Sequence, residues 1–339
     1  MSRHDLTFDE LTALAPLAGQ PAYRARQVWD GLYDQLADLA DLTALPKALR
    51  AELVADAALA PALSETLRQE ADRGTTVKWL FALDDGAAIE TVLMHYPGRT
   101  TVCVSSQAGC AMACGFCATG QGGFKRHLSS GEIVEQVVRA AREAKATDRR
   151  LSNVVFMGMG EPMANYDNTW RAVQRLHDDL GLSARHITIS TVGVVPGIHR
   201  LAQEDLPVGL AVSLHAANDT LRDDLVPINK RYPLASLLAA CRAYIGNRNR
   251  RLSFEWACIA GVNDRRSDAD ELAEIALPLG AHVNLIPLNP TPGYLVLGSA
   301  RAAVRGFADL LTDRGVNATV RQTRGQAIDA ACGQLASRA

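Results

Sequence analysis

The chain has 339 residues, a formal net charge of −2 and 48% hydrophobic residues. That length accommodates one large domain with a small accessory domain, and the hydrophobic content excludes a disordered protein. No apolar run is long enough to cross a membrane, and the N-terminus lacks the apolar core of a signal peptide. Seven cysteines are an odd number for a secreted disulfide scaffold, so we expect a cytoplasmic protein.

Charge is distributed unevenly along the chain. Residues 1–100 hold 9 basic and 15 acidic residues, whereas residues 101–339 hold 26 and 22. The second part contains four basic clusters, which are Lys125-Arg126-His127, Arg149-Arg150, Lys230-Arg231 and residues 248–251. Phosphate binding depends on local patches rather than on total charge, so each cluster is a candidate nucleic-acid contact. A solvated helix face explains any single cluster equally well.

Apolar residues at helical spacing predict helices in residues 1–60, with Pro46 at the start of one of them. Residues 77–83 and 88–95 are typical of strands, and Asp84-Asp85-Gly86 predicts the turn of a hairpin between them. We therefore predict a helical N-terminal accessory domain over 1–60, a β-hairpin linker over 61–98 and an α/β core over 99–339.

Strands and helices alternate in the predicted core. Strands are predicted at 101–106, 153–157, 186–191, 208–214, 252–258 and 282–287, with a possible further short strand at 316–321. The helix after the first strand begins with a capping box in which Ser129 is the N-cap and Glu132 the partner. Repeated strand–helix units predict a parallel sheet, and polar motifs at the strand ends favour a barrel or partial barrel.

The stretch from Gly109 to Cys117 carries three cysteines, Cys110, Cys114 and Cys117, at C-x3-C-x2-C spacing. One loop can turn all three sulfurs toward a common point, and thiolates are the ligands of iron–sulfur clusters. Three ligands leave one iron of a four-iron cluster open to a cofactor. The alternatives are buried structural cysteines or a zinc site, for which Cys103 and His127 are fourth ligands at unusual spacing.

Polar residues follow four later strands. Gly160 and Glu161 end one strand, and the carboxylate is a candidate partner for an ammonium group. The other strand ends carry Ser190, Ser213-Leu214-His215 and Asn289, whose side chains could bind the ribose or carboxylate of a cofactor. An ordinary turn, a cap or a structural histidine would explain each motif taken alone.

Two further cysteines stand outside the loop. Strand alternation places Cys103 on the face opposite Val102 and Val104, so we expect it to face the barrel lumen. Cys332 lies in a glycine-bracketed segment near the C-terminus. A buried structural cysteine is the alternative for both, and it is the interpretation kept for Cys241 and Cys258.

The three-cysteine spacing resembles the signature of radical S-adenosylmethionine (SAM) enzymes. Segments from about residue 18 to residue 335 more closely resemble the RlmN/Cfr family of radical SAM RNA methyltransferases. The segments that carry this resemblance are Cys103-Val104-Ser105-Ser106-Gln107, the cysteine loop with Ala118-Thr119-Gly120, and residues 158–162, 213–216, 284–292 and 324–335. The resemblance implies a partial (βα)6 TIM-like radical SAM barrel.

The resemblance also implies a reaction and its participants. The reaction is methylation at C2 of an adenosine in 23S rRNA and in tRNA, or at C8 for a Cfr-like enzyme. The implied cofactors are a [4Fe-4S] cluster on the three loop cysteines and SAM, two molecules per turnover. A flavodoxin-like reductant is implied as partner, and we expect a monomer. A radical SAM enzyme acting on a protein is the alternative from another class.

Residue roles follow from the same resemblance. Cys332 would become S-methylcysteine and form a covalent link to RNA, and Cys103 would act as base at C2 and then attack Cys332, leaving a disulfide. Glu90 is the implied candidate proton acceptor, with a solvent-facing strand carboxylate as its alternative. The implied SAM-binding residues are Gly160, Glu161, Ser190, Ser213, Leu214, His215 and Asn289.

Overall fold

The computed structural model describes residues 2–246 and 250–336. Its strands are β1 (Ser64–Ala71), β2 (Thr76–Ala82), β3 (Ala88–Tyr96), β4 (Arg99–Cys103), β5 (Gln107–Gly109), β6 (Phe124–His127), β7 (Asn153–Phe156), β8 (Ile187–Thr191), β9 (Gly209–Ser213), β10 (Leu252–Cys258), β11 (His282–Pro287) and β12 (Ala318–Val320). Its α-helices are α1 (Phe8–Thr12), α2 (Tyr23–Tyr33), α3 (Lys47–Ala55), α4 (Ala118–Gln121), α5 (Ser130–Ala146), α6 (Tyr166–Asp178), α7 (Val195–Gln203), α8 (Asp219–Leu225), α9 (Leu234–Ile245), α10 (Arg266–Ala276) and α11 (Arg301–Asp313).

Ten of the strands form one sheet in the order β1-β2-β3-β4-β7-β8-β9-β10-β11-β12. Strands β1 to β4 pair antiparallel with one another. From β4 to β12 each pair of adjacent strands in this sheet is parallel. The parallel strands are connected by helices, as the alternating pattern predicted. β5 and β6 form a separate two-stranded ribbon that frames the cysteine loop.

The parallel part of the sheet is curved into a partial barrel. Strands in a sheet lie about 4.8 Å apart, so β4 and β11, five positions apart, would be roughly 24 Å apart in a flat sheet. Cys103 at the end of β4 and Ile286 in β11 nevertheless line one cavity. In the described residues β1 and β12 are the two unpaired edges of the sheet, so the barrel is open.

The N-terminal helical region packs on α5 and α6. The Asp5 carboxylate accepts the Gly131 N–H (2.7 Å) at the start of α5, and Glu135 within α5 accepts the Ala62 N–H (2.7 Å). Arg142 donates to the Leu36 carbonyl oxygen (2.7 Å). One hydrophobic core runs without a break from Leu6 through the barrel. The boundaries after residues 60 and 98 stay a prediction.

The strands and the Ser129 capping box are confirmed, each strand within three residues of its predicted ends. The predicted hairpin is β2–β3, and it is extended by β1, which the sequence did not indicate. β1 is an edge strand with mostly exposed residues, so its apolar alternation is weak. No helix within 2–246 or 250–336 combines the length and apolar character needed to cross a bilayer.

Candidate active site at the mouth of the barrel

Two adjoining cavities open at the C-terminal ends of the parallel strands. The cluster-loop cavity is lined by the loop cysteines and most of the predicted strand-end residues, namely Cys110, Cys114, Cys117, Gly160, Glu161, Ser190, Ser213, His215 and Asn289. The cysteine-pair cavity is lined by Cys103 and Cys332, and it shares Cys117, Asn289 and Cys332 with the first. The fold thus brings together all the predicted site residues except Glu90 and Leu214.

The cysteine loop is held at its two ends by backbone hydrogen bonds. The Cys110 N–H donates to the Gly123 carbonyl oxygen (2.8 Å), and the Cys117 N–H donates to that of Cys114 (3.1 Å). Burial raises the pKa of Cys110 to about 12, and burial, together with the two neighbouring thiols, raises the pKa of Cys114. Metal binding by these thiols therefore releases protons.

The turn after β7 places Glu161 in the wall of the cluster-loop cavity. Its carboxylate accepts the N–H groups of Met163 (2.9 Å) and Val192 (2.8 Å). Burial raises the pKa of Glu161 to about 7, because these hydrogen bonds compensate only part of the desolvation. An ammonium group entering the cavity would favour the ionised carboxylate.

The glycines of this turn allow it to pack closely on the neighbouring backbone. A Cβ at Gly158 would lie 2.6 Å from the Val104 carbonyl oxygen, and one at Gly160 would lie 2.5 Å from Cβ of Gln107. Both glycines are therefore required by the close packing of the turn on the segment after β4, although Gly160 also lines the cavity.

His215 is fixed at the end of β9 in a left-handed backbone conformation, with φ of 59°. Its Nδ1 accepts the Ala257 N–H (3.0 Å), and its carbonyl oxygen accepts a hydrogen bond from the Asn263 amide (2.8 Å). The ring packs edge-on against Phe116. Burial lowers the pKa of His215 to about 3, so the ring is neutral and carries its proton on Nε2.

Cys103 and Cys332 meet across the cysteine-pair cavity, and all seven cysteines are free thiols. Burial, followed by the neighbouring Cys332 sulfur, raises the pKa of Cys103 to about 12. Arg321 lies in the walls of both cavities, and its Nη1 donates to the Met157 sulfur (3.7 Å). Negative charge on Cys332 raises the pKa of Arg321, which burial opposes. The Cys332 sulfur thus shares both cavities with a guanidinium group.

Comparison with known proteins identifies the family. The model of the radical SAM superfamily matches residues 104–274. A probable dual-specificity RNA methyltransferase RlmN from Chloroflexus aurantiacus is 52% identical, over 99% of this chain and 92% of the relative. A protein with the same description from Parafrankia sp. is 54% identical, over 98% of this chain and 91% of the relative. The chain belongs to the RlmN family of radical SAM methyltransferases.

A solved structure agrees with this membership of the RlmN family. The crystal structure of a radical SAM methyltransferase from Sphaerobacter thermophilus matches with a TM-score of 0.95 and 51% sequence identity, and the match covers both chains completely. The radical SAM fold predicted from the cysteine motif is therefore confirmed for this RlmN-family chain.

Radical SAM enzymes use a [4Fe-4S] cluster and SAM, and the residues of this RlmN-family chain fit both. Three thiols and a buried carboxylate, Glu161, whose desolvation is only partly compensated, line one cavity. Among the described residues no three His, Cys, Asp or Glu side chains are arranged to hold a single metal ion. Thiolates on a four-iron cluster each bind a different iron, so they stand farther apart than the ligands of one zinc ion. The match to the radical SAM superfamily favours the cluster over the zinc alternative.

The structure places Glu90 and Leu214 away from the two cavities. The Leu214 side chain is fully buried in the core, and its carbonyl oxygen accepts a hydrogen bond from Arg222 (3.1 Å). Glu90 lies in a third cavity, which we call the Glu90 cavity, and forms an ion pair with Lys78 (3.0 Å). The alternative interpretation of Glu90 as a solvent-facing strand carboxylate is wrong, because this side chain is only 2% exposed.

Three residues at the site were missed by sequence reasoning: Arg321, described above, Glu255 and Arg222. Glu255 lies in β10, lines the cluster-loop cavity and accepts a hydrogen bond from Asn284 (2.8 Å). A carboxylate inside an apolar strand was the available signal. Arg222 in α8 donates to the carbonyl oxygens of Val192 (2.6 Å) and Leu214, and thereby joins the ends of β8 and β9. Its sequence context resembles that of any helix arginine, so no local signal existed.

Some members of the basic clusters have structural roles. Arg126 pairs with Glu132 (2.7 Å) and with Asp85. Arg250 is buried and donates to the Leu201 carbonyl oxygen (2.7 Å). Arg248 lies outside the described residues. Lys125 is exposed, as are both arginines of the 149–150 cluster and both residues of the 230–231 cluster, so these clusters remain candidates for phosphate contacts.

The neutral state of His215 predicts an acid-sensitive fold. The pKa of His215 is lower in the folded chain than its ordinary value of 6.5, so the unfolded chain binds the extra proton. Stability is then fully present above pH 6.5 and is lost as the pH falls toward 3, by up to about 1.4 kcal/mol per pH unit. We expect the His215→Asn variant to lose less thermal stability than the wild type between pH 7.5 and 5.5. Exposed His199→Asn is the control, and identical losses in His215→Asn and wild type would contradict the assignment.

Proposed function

We propose that the enzyme methylates C2 of an adenosine in RNA through Cys332 and Cys103. The observation that carries the proposal is the meeting of these two thiols, which are far apart in the sequence, beside the cysteine loop. A cluster site alone would serve many radical SAM reactions. Two further thiols next to the cluster site, Cys103 and Cys332, support methyl transfer through a protein sulfur.

The proposed substrates are 23S rRNA, at an adenosine of the peptidyl transferase region, and tRNA, at the adenosine next to the anticodon. The relatives from Chloroflexus aurantiacus and Parafrankia sp. are described as dual-specificity RNA methyltransferases, which supports two RNA classes. Their similarity covers almost the whole of this chain. A protein substrate has no corresponding support.

Methyl transfer through a carbon-centred radical explains why this chain holds two further thiols in addition to a SAM site. C2 of adenine is electron-poor and carries only a C–H bond, so it is a poor nucleophile for ordinary methyl transfer. When bound, the cluster and two SAM molecules per turnover supply the electron, the methyl group and the hydrogen-abstracting group. The three loop cysteines would hold the cluster. The strand-end residues Gly160, Glu161, Ser190, Ser213, His215 and Asn289 would hold SAM.

The remaining steps belong to the thiols of the chain. Cys332 would accept the methyl group, and the Arg321 guanidinium lines the same two cavities. Once Cys332 is linked to C2 through the transferred carbon, Cys103 would take the proton from C2. Burial raises the pKa of Cys103 to about 12, so the thiol holds this proton once it has taken it. Attack of Cys103 on the Cys332 sulfur would then break the bond between that sulfur and the transferred carbon. The proton held by Cys103 would pass to this carbon, which completes the methyl group of the product, and a Cys103–Cys332 disulfide would remain.

The disulfide implies a supply of electrons after each turnover. We propose a flavodoxin-like protein as reductant and the reducing cytoplasm as location, because both thiols must return to the free state. We propose that the enzyme acts as a monomer.

Analysis of the modified nucleosides tests the proposed function. Reconstituted enzyme is incubated anaerobically with SAM, reductant and unmodified 23S rRNA fragment or tRNA, and digested nucleosides are identified by mass spectrometry. We expect 2-methyladenosine from both RNAs and none when SAM is omitted. 8-Methyladenosine would instead indicate Cfr-like chemistry. SAM cleavage without any methylated nucleoside would contradict RNA as the substrate.

A further inference from the structure

The C-terminal segment that carries Cys332 forms a partition between two cavities. On one side it lines the cysteine-pair cavity with Ala330, Ala331, Cys332, Gly333 and Leu335. On the other side it lines the Glu90 cavity with Asp329, Gln334 and Ala336. The Cys332 thiol and the Glu90 carboxylate therefore lie on opposite sides of the same short segment.

Hydrogen bonds to three carbonyl groups hold this segment in place. The Asn289 amide donates to the Cys332 carbonyl oxygen (3.0 Å), and the Ala118 N–H donates to that of Gly333 (2.8 Å). The Thr119 hydroxyl donates to the Leu335 carbonyl oxygen (2.6 Å). Ala118 and Thr119 directly follow Cys117, so the cysteine loop itself holds one side of the segment.

Glu90 supplies the last anchor. Its Oε2 accepts the Ala336 N–H (2.9 Å), while its Oε1 pairs with the Lys78 ammonium (3.0 Å). The Glu90 and Lys78 side chains are only 2% and 6% exposed. A buried charge needs a partner, and here each carboxylate oxygen has one, so the pair is a rigid support for the tail.

We propose that Glu90 is a positioning residue, which together with Lys78 holds the C-terminal segment so that the Cys332 thiol faces the cysteine loop. This inference rests on the proposed function of Cys332 and assigns Glu90 a role other than proton acceptor. A carboxylate already bonded on the far side of the partition is poorly placed to receive a proton from a base held beside Cys332. Cys103, which shares the cavity with Cys332, is better placed.

Two double variants separate the two roles. Lys78→Met with Glu90→Gln removes both charges but keeps an oxygen that can accept the Ala336 N–H. Lys78→Met with Glu90→Met has nearly the same side-chain volume and lacks that acceptor. Because neither variant leaves an unpaired buried charge, both are expected to fold, which iron content after reconstitution verifies. Thr119→Val, which releases the neighbouring anchor, is the positive control.

The first measurement is alkylation of Cys332 in the reconstituted enzyme by iodoacetamide, without SAM or RNA. Trypsin cleavage after Arg324 and Arg338 gives a peptide in which Cys332 is the single cysteine, so its labelling is followed by mass spectrometry. We expect the variant with Glu90→Met to be labelled about tenfold faster than the variant with Glu90→Gln. A tenfold change is the scale of one lost hydrogen bond to a buried group. Thr119→Val should shift in the same direction.

The second measurement is methylation of Cys332 by SAM in the absence of RNA. If Glu90 positions the segment, Cys332 is methylated more slowly in the variant with Glu90→Met, and the variant with Glu90→Gln restores the rate. If Glu90 instead accepts the proton from C2, Cys332 is methylated normally in both double variants, and only the methylation of added RNA fails. Equal alkylation of Cys332 in both double variants and wild type, with Thr119→Val labelled faster, would overturn the proposal. Absence of Cys332 methylation in the wild type would instead contradict the proposed function, and the alkylation comparison would still decide the role of Glu90.

Discussion

Replacing Cys332 with alanine is expected to abolish RNA methylation while the iron content stays unchanged. The Cys332 sulfur is the proposed carrier of the methyl group, and it lies in the wall shared by both cavities. It is not one of the three loop cysteines, so the cluster site should remain intact. We expect methylation to fall by at least about a thousandfold, the scale of losing a covalent catalytic residue. Methyladenosine yield and iron per chain are the measurements.

The control for this variant is Cys241→Ala. Cys241 is fully buried in α9, away from both cavities, so it reports the general effect of removing a buried thiol. It should keep its methylation activity. Cys332→Ala should still cleave SAM to 5′-deoxyadenosine slowly under reducing conditions. Substantial RNA methylation by Cys332→Ala would show that the methyl group does not pass through this sulfur.

Replacing Cys103 with alanine is expected to trap the enzyme on its RNA. Cys103 is 6% exposed, faces Cys332 across the cysteine-pair cavity and has a pKa raised to about 12 by burial. Without this thiol, neither proton removal from C2 nor attack on the Cys332 sulfur can proceed. We expect a protein–RNA adduct on Cys332 to accumulate to about one per active chain. Denaturing gels with labelled RNA and mass spectrometry of the peptide measure it.

Two further variants interpret the Cys103 result. Cys258→Ala removes another strand cysteine, fully buried in β10, and should form no adduct. Cys103→Ala combined with Cys332→Ala should also form none, because the attachment site is gone. If Cys103→Ala turned over at the wild-type rate, Cys103 would have neither proposed role.

Features that depend on residues close together in the sequence were predictable. The spacing of Cys110, Cys114 and Cys117 constrains one loop, so their common cavity followed from the motif. The Ser129 capping box needs only four consecutive residues, and it begins α5 as expected. Strand alternation correctly placed Cys103 on the lumen side, because the direction of a side chain on a strand is set by parity alone.

Features that depend on which strands become neighbours were not predictable. Glu90 had the sequence signature of an ordinary strand carboxylate, and its pairing with Lys78 required the register of β2 on β3. The contact between Glu90 and Ala336 required the C-terminal tail to return to this sheet. β1 was missed because an edge strand buries little, so its sequence carries a weak pattern.

The sequence by itself determined the class of chemistry, since the ligand spacing, the strand-end polar residues and the family resemblance all lie within short segments. Only the tertiary structure decided what surrounds the two thiols proposed to react: Arg321 beside Cys332, and Glu90 behind the segment that carries it. The physical reason is that curvature of the sheet and docking of the tail bring distant residues into contact. Such contacts are formed by packing, and no local pattern of residues encodes them.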